Sequence, residues 1–238
     1  MRYFLRIKYD GSKFYGFQRQ NNLLTVQNLI EDKLKEIFNE DIKIKGAGRT
    51  DRGVHALGQC LHFDSDIVIK CSYLKRKLNR LLQNNIIVKN CSIVNSDFHS
   101  RFSVKRKHYK YKISFKKSDY NSNYYLYSKK LDIKKMKEVS KIFLGVHNFQ
   151  NFVSGERDNY DCIIYKIKFE YLFNKLTIHF YGKSFYRYMV RNMVGALIDV
   201  GKGKATKEDI INLLNMPKTD KMLSTAPAKG LTLVKIYY

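Results

Sequence analysis

One short segment of the chain gathers residues that could do chemistry. It runs from Gly46 to Ala56 and reads GAGRTDRGVHA, in which three glycines and two alanines allow sharp turns and close approach of a ligand to the backbone. Its single carboxylate, Asp51, lies between Arg49 and Arg52, whose charges favour the ionised carboxylate and attract phosphate. The segment predicts either a reactive anion in a phosphate-binding setting, or a structural turn in which Asp51 bonds its own backbone and pairs with arginine.

Nucleotide-binding motifs are incomplete in this sequence. Gly11 and Gly16 have the glycine spacing of a Walker A motif, but Phe17 and Gln18 follow where lysine and serine or threonine are required. The run at 201–203, Gly-Lys-Gly, follows a predicted helix and is too short to indicate a dinucleotide site. Neither fragment supports a nucleotide cofactor.

Metal-binding patterns are incomplete as well. His55, Cys60 and His62 are close in sequence, but strand alternation places only Cys60 and His62 on a common face, with His55 in the turn. Ordinary core and surface roles are therefore favoured over a metal site. The sequence has 4 cysteines without a C-x-x-C pair, all expected to be reduced and structural: Cys60, Cys71, Cys91 and Cys162.

The chain of 238 residues is strongly basic, with 45 Lys and Arg against 21 Asp and Glu and a formal net charge of +24. This surplus favours a polyanionic partner, first nucleic acid and second an anionic membrane, although an AT-biased genome rich in lysine codons would also produce it. No apolar run approaches the roughly 18 residues that span a bilayer, and the charged N-terminus offers no signal-peptide core. The protein is expected to be cytoplasmic, without a membrane partner.

Periodicity predicts the elements that must position this segment. Strands are predicted at 3–9, 42–46, 57–63, 86–94, 104–115, 162–173, 175–182 and 230–238. Helices are predicted at 26–38 (with Thr25 as N-cap), 72–82, 133–144, 185–200 and 207–215. Their irregular alternation and the short turns between strands favour an α+β fold with a largely antiparallel sheet over a doubly wound parallel sheet.

Several blocks of the sequence resemble the motifs of one family. The segment Gly46–Ala56 resembles the catalytic signature of the tRNA pseudouridine synthase A family (TruA). Other blocks resemble the family's motifs in the family's order, over nearly the whole chain: YDGSKFYGFQRQ at 9–20, FHSRFS at 98–103, RKHYKY at 106–111, MVRNMVG at 189–195 and KGLTLVKI at 229–236.

The resemblance implies a fold, an assembly and a reaction. The fold would be two α+β domains, 1–103 and 104–238, that share a mostly antiparallel central sheet with helices on one side and a basic cleft between the domains. The protein would be a homodimer that isomerises uridine to pseudouridine in the anticodon stem-loop of tRNA, at positions 38–40. Because this reaction is an isomerisation, the resemblance implies no cofactor and no metal.

The resemblance also assigns roles to four residues. Asp51 would be the catalytic nucleophile, either attacking C1′ of the ribose or removing the C2′ proton. Arg49 would support the nucleotide that is flipped out of the stack. Tyr109 would stack on the uracil with its hydroxyl near C5, and Arg191 would reach Asp51 as an ion pair; otherwise Tyr109 is a core aromatic and Arg191 a surface contact.

Two other functions are compatible with the composition. A non-catalytic RNA-binding or RNA-chaperone protein could keep the same fold, but a protein that only binds RNA favours lysine or arginine at the position of Asp51. A basic protein docking on an anionic membrane is the weaker alternative, because the sequence lacks a strongly amphipathic basic helix with exposed Trp or Phe.

Overall fold

The computed structural model of the protein describes residues 1–117, 122–216 and 224–238. Within these ranges no helix is long and apolar enough to cross a bilayer. The strands of the described residues are β1 (Arg2–Tyr9), β2 (Lys45–Gly46), β3 (His55–Asp64), β4 (Ile86–Val94), β5 (Arg106–Ser114), β6 (Leu126–Tyr127), β7 (Gly145–Asn148), β8 (Asp161–Leu172), β9 (Lys175–Gly182) and β10 (Leu231–Tyr237). Their helices are α1 (Val26–Phe38), α2 (Cys71–Leu81), α3 (Ile133–Val139), α4 (Met189–Gly201) and α5 (Lys207–Asn215).

The first of two compact units contains Met1–Lys105 and Thr232–Tyr238. In its sheet, β1 pairs antiparallel with both β4 and β3, and β10 pairs parallel with β3. The short strand β2 adds an antiparallel pair to β3, with Lys45 opposite His62. The segment Gly46–Ala56 starts at the end of β2 and ends at the beginning of β3, so this strand pair holds its two ends.

One face of β1 forms the core of the first unit. The side chains of Tyr3, Leu5 and Ile7 are fully buried, as the predicted alternation of this strand requires. The Tyr3 ring packs on Phe63 of β3 at a centroid distance of 5.1 Å and against Phe38 of α1 at 5.8 Å. The helix therefore covers this face of the sheet.

The first helix begins and ends at residues suited to those positions. Thr25 Oγ1 accepts a hydrogen bond from the backbone N–H of Asn28 at 3.2 Å, which confirms the predicted N-cap. At the other end Asn39 adopts a left-handed conformation with φ of 55°, a common helix stop. These two residues fix the length of the helix that packs beneath β1.

The second unit contains Arg106–Leu231. Its strands β5, β9, β8 and β7 are paired antiparallel in that order, and β6 pairs parallel with β5. Phe173 and Asn174 join β8 to β9 with φ of 46° and 59°, as in a type I′ hairpin turn. The α+β class and the mostly antiparallel pairing are confirmed in both units.

Some predicted boundaries are wrong. The helix predicted from residue 185 begins at Met189, because Tyr188 has a left-handed φ of 64°, so Arg187 lies in the preceding turn rather than on the helix. The helix predicted to residue 144 ends at Val139 and tightens into a 3₁₀ turn at Ser140–Phe143. The predicted strand at 42–46 is reduced to its last two residues.

Candidate active site

Asp51 lies at the start of a tight turn between β2 and β3. Its backbone carbonyl accepts a hydrogen bond from Val54 N–H at 3.1 Å. Gly53, the third residue of this turn, has a φ of 81°, which a residue with a side chain rarely adopts. The Asp51 side chain is half-buried, whereas Arg49 and Arg52 are exposed. Two exposed arginines therefore flank a half-buried aspartate in the sequence of this segment.

The residue before Asp51 is held from both its side chain and its backbone. The Tyr9 hydroxyl and Thr50 Oγ1 are 2.9 Å apart in a buried hydrogen bond. Burial raises the pKa of Tyr9 to about 12, so the phenol stays neutral. Phe17 N–H donates to the Thr50 carbonyl at 3.0 Å, and a Cβ on Gly16, whose φ is 100°, would lie 3.1 Å from that carbonyl oxygen. The block at 9–20 therefore positions Asp51 through Thr50.

Close backbone approaches hold the rest of the segment. A Cβ on Gly11 would lie 2.1 Å from the carbonyl oxygen of Val54, so only glycine fits there. Gly11 N–H also donates to His55 Nδ1 at 3.1 Å. On the other side of the segment, the buried Gln59 side chain donates to the Gly48 carbonyl at 2.9 Å. These supporting roles were not predicted from the sequence, although the glycine positions were a signal for them.

Arg52 has a defined partner on the surface. Its guanidinium lies 4.2 Å from the centroid of the Tyr15 ring, within the range of a cation–π contact. This contact orients the side chain while its charge stays exposed to solvent. The segment therefore offers a preoriented guanidinium to a phosphate group.

His55, Cys60 and His62 lie in the protein interior. All three side chains are buried, and His62 Nδ1 lies 2.8 Å from the Ser100 hydroxyl. Burial lowers the pKa of His62 to about 4, so the ring is neutral near pH 7. Within residues 1–117, 122–216 and 224–238, no three His, Cys, Asp or Glu side chains are arranged to hold a metal.

Tyr109 lies on β5 in the second unit. It is directly opposite Phe180 of β9, and its side chain is 8% exposed. Its ring meets the ring of Phe185 edge-on, with a centroid distance of 5.2 Å and an interplanar angle of 77°. The neighbouring Tyr111 is fully buried and donates to the Pro227 carbonyl at 2.8 Å. Tyr111 is therefore fixed in the core, while Tyr109 lies nearer the strand end with aromatic support.

Arg191 lies on the first turn of α4 in the same unit. Its Nε donates to the carbonyl oxygen of Ala226 at 2.8 Å, and Ala226 N–H donates back to the Arg191 carbonyl at 3.1 Å. Its guanidinium carbon lies 4.6 Å from the centroid of the Tyr188 ring. These contacts orient the half-buried guanidinium.

The segment that holds Arg191 lies against one side of α4. Ser224 donates to the buried Asp199 carboxylate from its backbone N–H at 2.9 Å and from its hydroxyl at 3.0 Å. Gly195 lies on α4 between Arg191 and Asp199. A Cβ at this position would lie 1.4 Å from the Ser224 carbonyl oxygen. Arg191, Gly195 and Asp199 are spaced four residues apart, so they share one helix face. Gly195 therefore permits the close approach that places Ala226 beside Arg191.

Gly195→Ala is expected to destabilise the protein by about 2 kcal/mol. The overpacking cost is about 1–3 kcal/mol, towards its upper end here because the atom displaced is backbone, and the higher helix propensity of alanine returns up to about 1 kcal/mol. Urea unfolding measures the change. The control is Gly201→Ala at the end of α4, where the added Cβ meets the flexible Met136 side chain. Equal stability of the two variants would contradict this role of Gly195.

Comparison with known proteins places the chain in a family. A family profile described as tRNA pseudouridine synthase matches residues 6–103 and 139–238. A protein of Dictyoglomus thermophilum named tRNA pseudouridine synthase A is 40% identical over 98% of this chain and 98% of its own length. Proteins of the same name from Thermodesulfovibrio yellowstonii and Phytoplasma mali are 38% and 37% identical, over 98% and 99% of this chain and 98% of their own lengths. The matched profile and the near-complete alignments show that the chain belongs to the tRNA pseudouridine synthase family.

Proposed function

We propose that the protein isomerises uridine to pseudouridine in the anticodon stem-loop of tRNA, at positions 38–40. The observation that supports this most is the placement of Asp51, the single carboxylate of the segment Gly46–Ala56, in a turn that Thr50 fixes beside two exposed arginines. Membership of the family supports the reaction, and the net charge of +24 supports a polyanionic substrate.

The reaction changes the uracil atom that is bonded to C1′ of the ribose from N1 to C5. The N1–C1′ bond breaks, the base rotates, and a C1′–C5 bond forms, after which C5 loses its proton and N1 gains one. No electrons are exchanged with another compound, so the steps balance without a redox partner. We propose Asp51 as the nucleophile. Attack at C1′ and removal of the C2′ proton both require its ionised carboxylate.

Three further residues take supporting roles in the proposal. Arg49, exposed beside Asp51, supports the nucleotide that is flipped out of the stack. Tyr109 stacks on the uracil, and its hydroxyl oxygen takes the C5 proton as the hydroxyl's own proton passes to water, from which N1 of the base is protonated. Arg191, whose guanidinium is oriented by Ala226 and Tyr188, pairs with the carboxylate of Asp51. We further propose that the protein works as a cytoplasmic homodimer, as the family resemblance implies.

Release of tritium tests the activity directly. A tRNA transcript made with uridine tritiated at C5 loses tritium to water only when C5 forms the new glycosidic bond. Purified protein is expected to release tritium in an amount that matches the number of uridines converted. Tight RNA binding with no release from any tRNA would favour the alternative, a non-catalytic RNA-binding protein.

Binding of tRNA is expected to weaken steeply with salt. Each neutralised phosphate contributes about −0.7 to −0.9 to the slope of log affinity against log salt concentration. A site that collects several of the 45 basic residues should therefore give a slope steeper than about −3. Filter binding at about 50 to 300 mM KCl measures this slope. A nearly flat response would mean that the charge reflects genome composition.

A further inference from the structure

The turn at 98–103 has no role in the mechanism above, yet it exposes a large aromatic ring. Phe102 is 76% exposed on the first unit, although exposing a phenylalanine to water costs free energy. Its neighbour Arg101 is also exposed, with the guanidinium carbon 5.7 Å from the centroid of the Phe102 ring. The turn therefore presents an aromatic face and a positive charge together.

Histidine 99 holds this turn in one conformation. His99 Nδ1 accepts the backbone N–H groups of Arg101 at 3.1 Å and Phe102 at 3.3 Å. The rings of His99 and Phe102 lie 4.3 Å apart at an interplanar angle of 31°. Burial lowers the pKa of His99, which keeps Nδ1 available as an acceptor near neutral pH. One face of the Phe102 ring is thus supported from within the protein.

The turn is anchored to the hairpin that leads into the segment Gly46–Ala56. Ser100 N–H donates to Nδ1 of His62 at 3.2 Å, and the Ser100 hydroxyl donates to the carbonyl oxygen of Lys45. Lys45 and His62 are paired residues of β2 and β3. The ring is therefore tied to the hairpin that carries Asp51.

The charges around the ring favour an anionic partner. Lys45 and Arg101 are exposed and lie near enough to His99 to depress its pKa. Arg2 is also nearby, but Asp64 pairs with it at 2.8 Å. Asp97 also lies close to Arg2, so the positive charges left nearest to His99 are those of Lys45 and Arg101. A second copy of this chain would bring the same charges against them in a symmetric contact, which opposes association.

We propose that Phe102 is a stacking platform for an unpaired base of the RNA substrate, with Arg101 beside it as a phosphate contact. Aromatic side chains bind unstacked bases in this way, and arginine pairs with phosphate. Phe102 lies outside the segment Gly46–Ala56 that carries Asp51, so the stacked base is assigned to another nucleotide of the same RNA rather than to the uridine that reacts. The proposal rests on the proposed function, since it requires an RNA substrate.

The experiment compares Phe102→Ala and Phe102→Tyr with the parent and with Phe173→Ala. Phe173, 82% exposed on the β8–β9 turn, is the matched control for losing an exposed ring. The dissociation constant for an anticodon stem-loop RNA is measured, together with the single-turnover rate at saturating enzyme. Phe102→Ala is expected to bind about 5- to 150-fold more weakly, with an unchanged saturated rate and salt slope. Phe102→Tyr and Phe173→Ala should remain within about twofold of the parent.

A scan of abasic nucleotides identifies the stacked base. At one loop position, removal of the base should weaken parent binding and leave Phe102→Ala binding unchanged, because the contact is already lost. Equal losses at every position would overturn the proposal, as would parent-like binding by Phe102→Ala. A shift from dimer to monomer in sedimentation would assign the ring to a second copy instead. Failure of the parent to release tritium would remove the proposed activity, whereas the binding pattern would still report on Phe102.

Discussion

Replacement of Asp51 by asparagine is expected to abolish pseudouridine formation, with a single-turnover rate lowered by more than about 10³-fold. Asparagine has the same shape as aspartate, so the turn from Asp51 to Val54 is retained, but it is neither a carboxylate nucleophile nor a useful base. The affinity for tRNA should stay within a few-fold, because RNA affinity arises mostly from phosphate contacts. Filter binding and single-turnover tritium release together make the measurement.

A surface aspartate provides the control for this substitution. Asp41 is exposed and pairs with Lys35 at 2.8 Å in the same unit. Asp41→Asn should therefore turn over like the parent. Equal unfolding midpoints for the two variants would establish that Asp51→Asn is folded. An active Asp51→Asn protein would remove Asp51 from the catalytic role.

Replacement of Tyr109 distinguishes two roles of one side chain. Base stacking is worth about 1–3 kcal/mol, and phenylalanine keeps it while leucine loses the ring face. Proton transfer by the hydroxyl is worth roughly 10²–10⁴-fold in rate, and phenylalanine loses it. We expect Tyr109→Phe to be nearly as slow as Tyr109→Leu, because C5 must lose a proton while Asp51 is engaged at the sugar.

Single-turnover rates at saturating enzyme separate chemistry from binding in this comparison. Tyr171→Phe, which changes an exposed tyrosine on β8, is the control for removing a hydroxyl from the same unit. It should react at the parent rate. A Tyr109→Phe rate within about threefold of the parent would leave Tyr109 as a stacking platform only.

The positions of a strand or helix could be predicted from the sequence where neighbouring residues alone determine it. Alternation predicted β1 because its apolar side chains face one core, and Thr25 predicted the start of α1 because its hydroxyl bonds to Asn28. The start of α4 could not be predicted in this way. Tyr188 adopts a left-handed conformation that its side chain disfavours, and only the tertiary structure requires it.

The contacts that position the residues of the candidate site were harder to predict than the residues themselves. The residue types around Asp51 left a reactive anion and a structural turn both open, and the resemblance to the family's motif favoured the first. The bond from Tyr9 to Thr50 and the contact of Gly195 with Ser224 join residues far apart in the chain. A glycine inside a helix pattern was the available signal, because glycine costs about 1 kcal/mol there unless it permits a close approach.

Conversion of uridines at positions 38–40 of the anticodon stem-loop is proposed to depend on Asp51. The most direct test incubates unmodified tRNA with the parent and with Asp51→Asn, then maps pseudouridine by site-specific chemical labelling and reverse transcription. Transcripts with a single uridine at position 38, 39 or 40, and cytidine at the other two, resolve the three sites. We expect labelling by the parent at these positions and none with Asp51→Asn. Labelling confined to other stems, or labelling by Asp51→Asn, would contradict it.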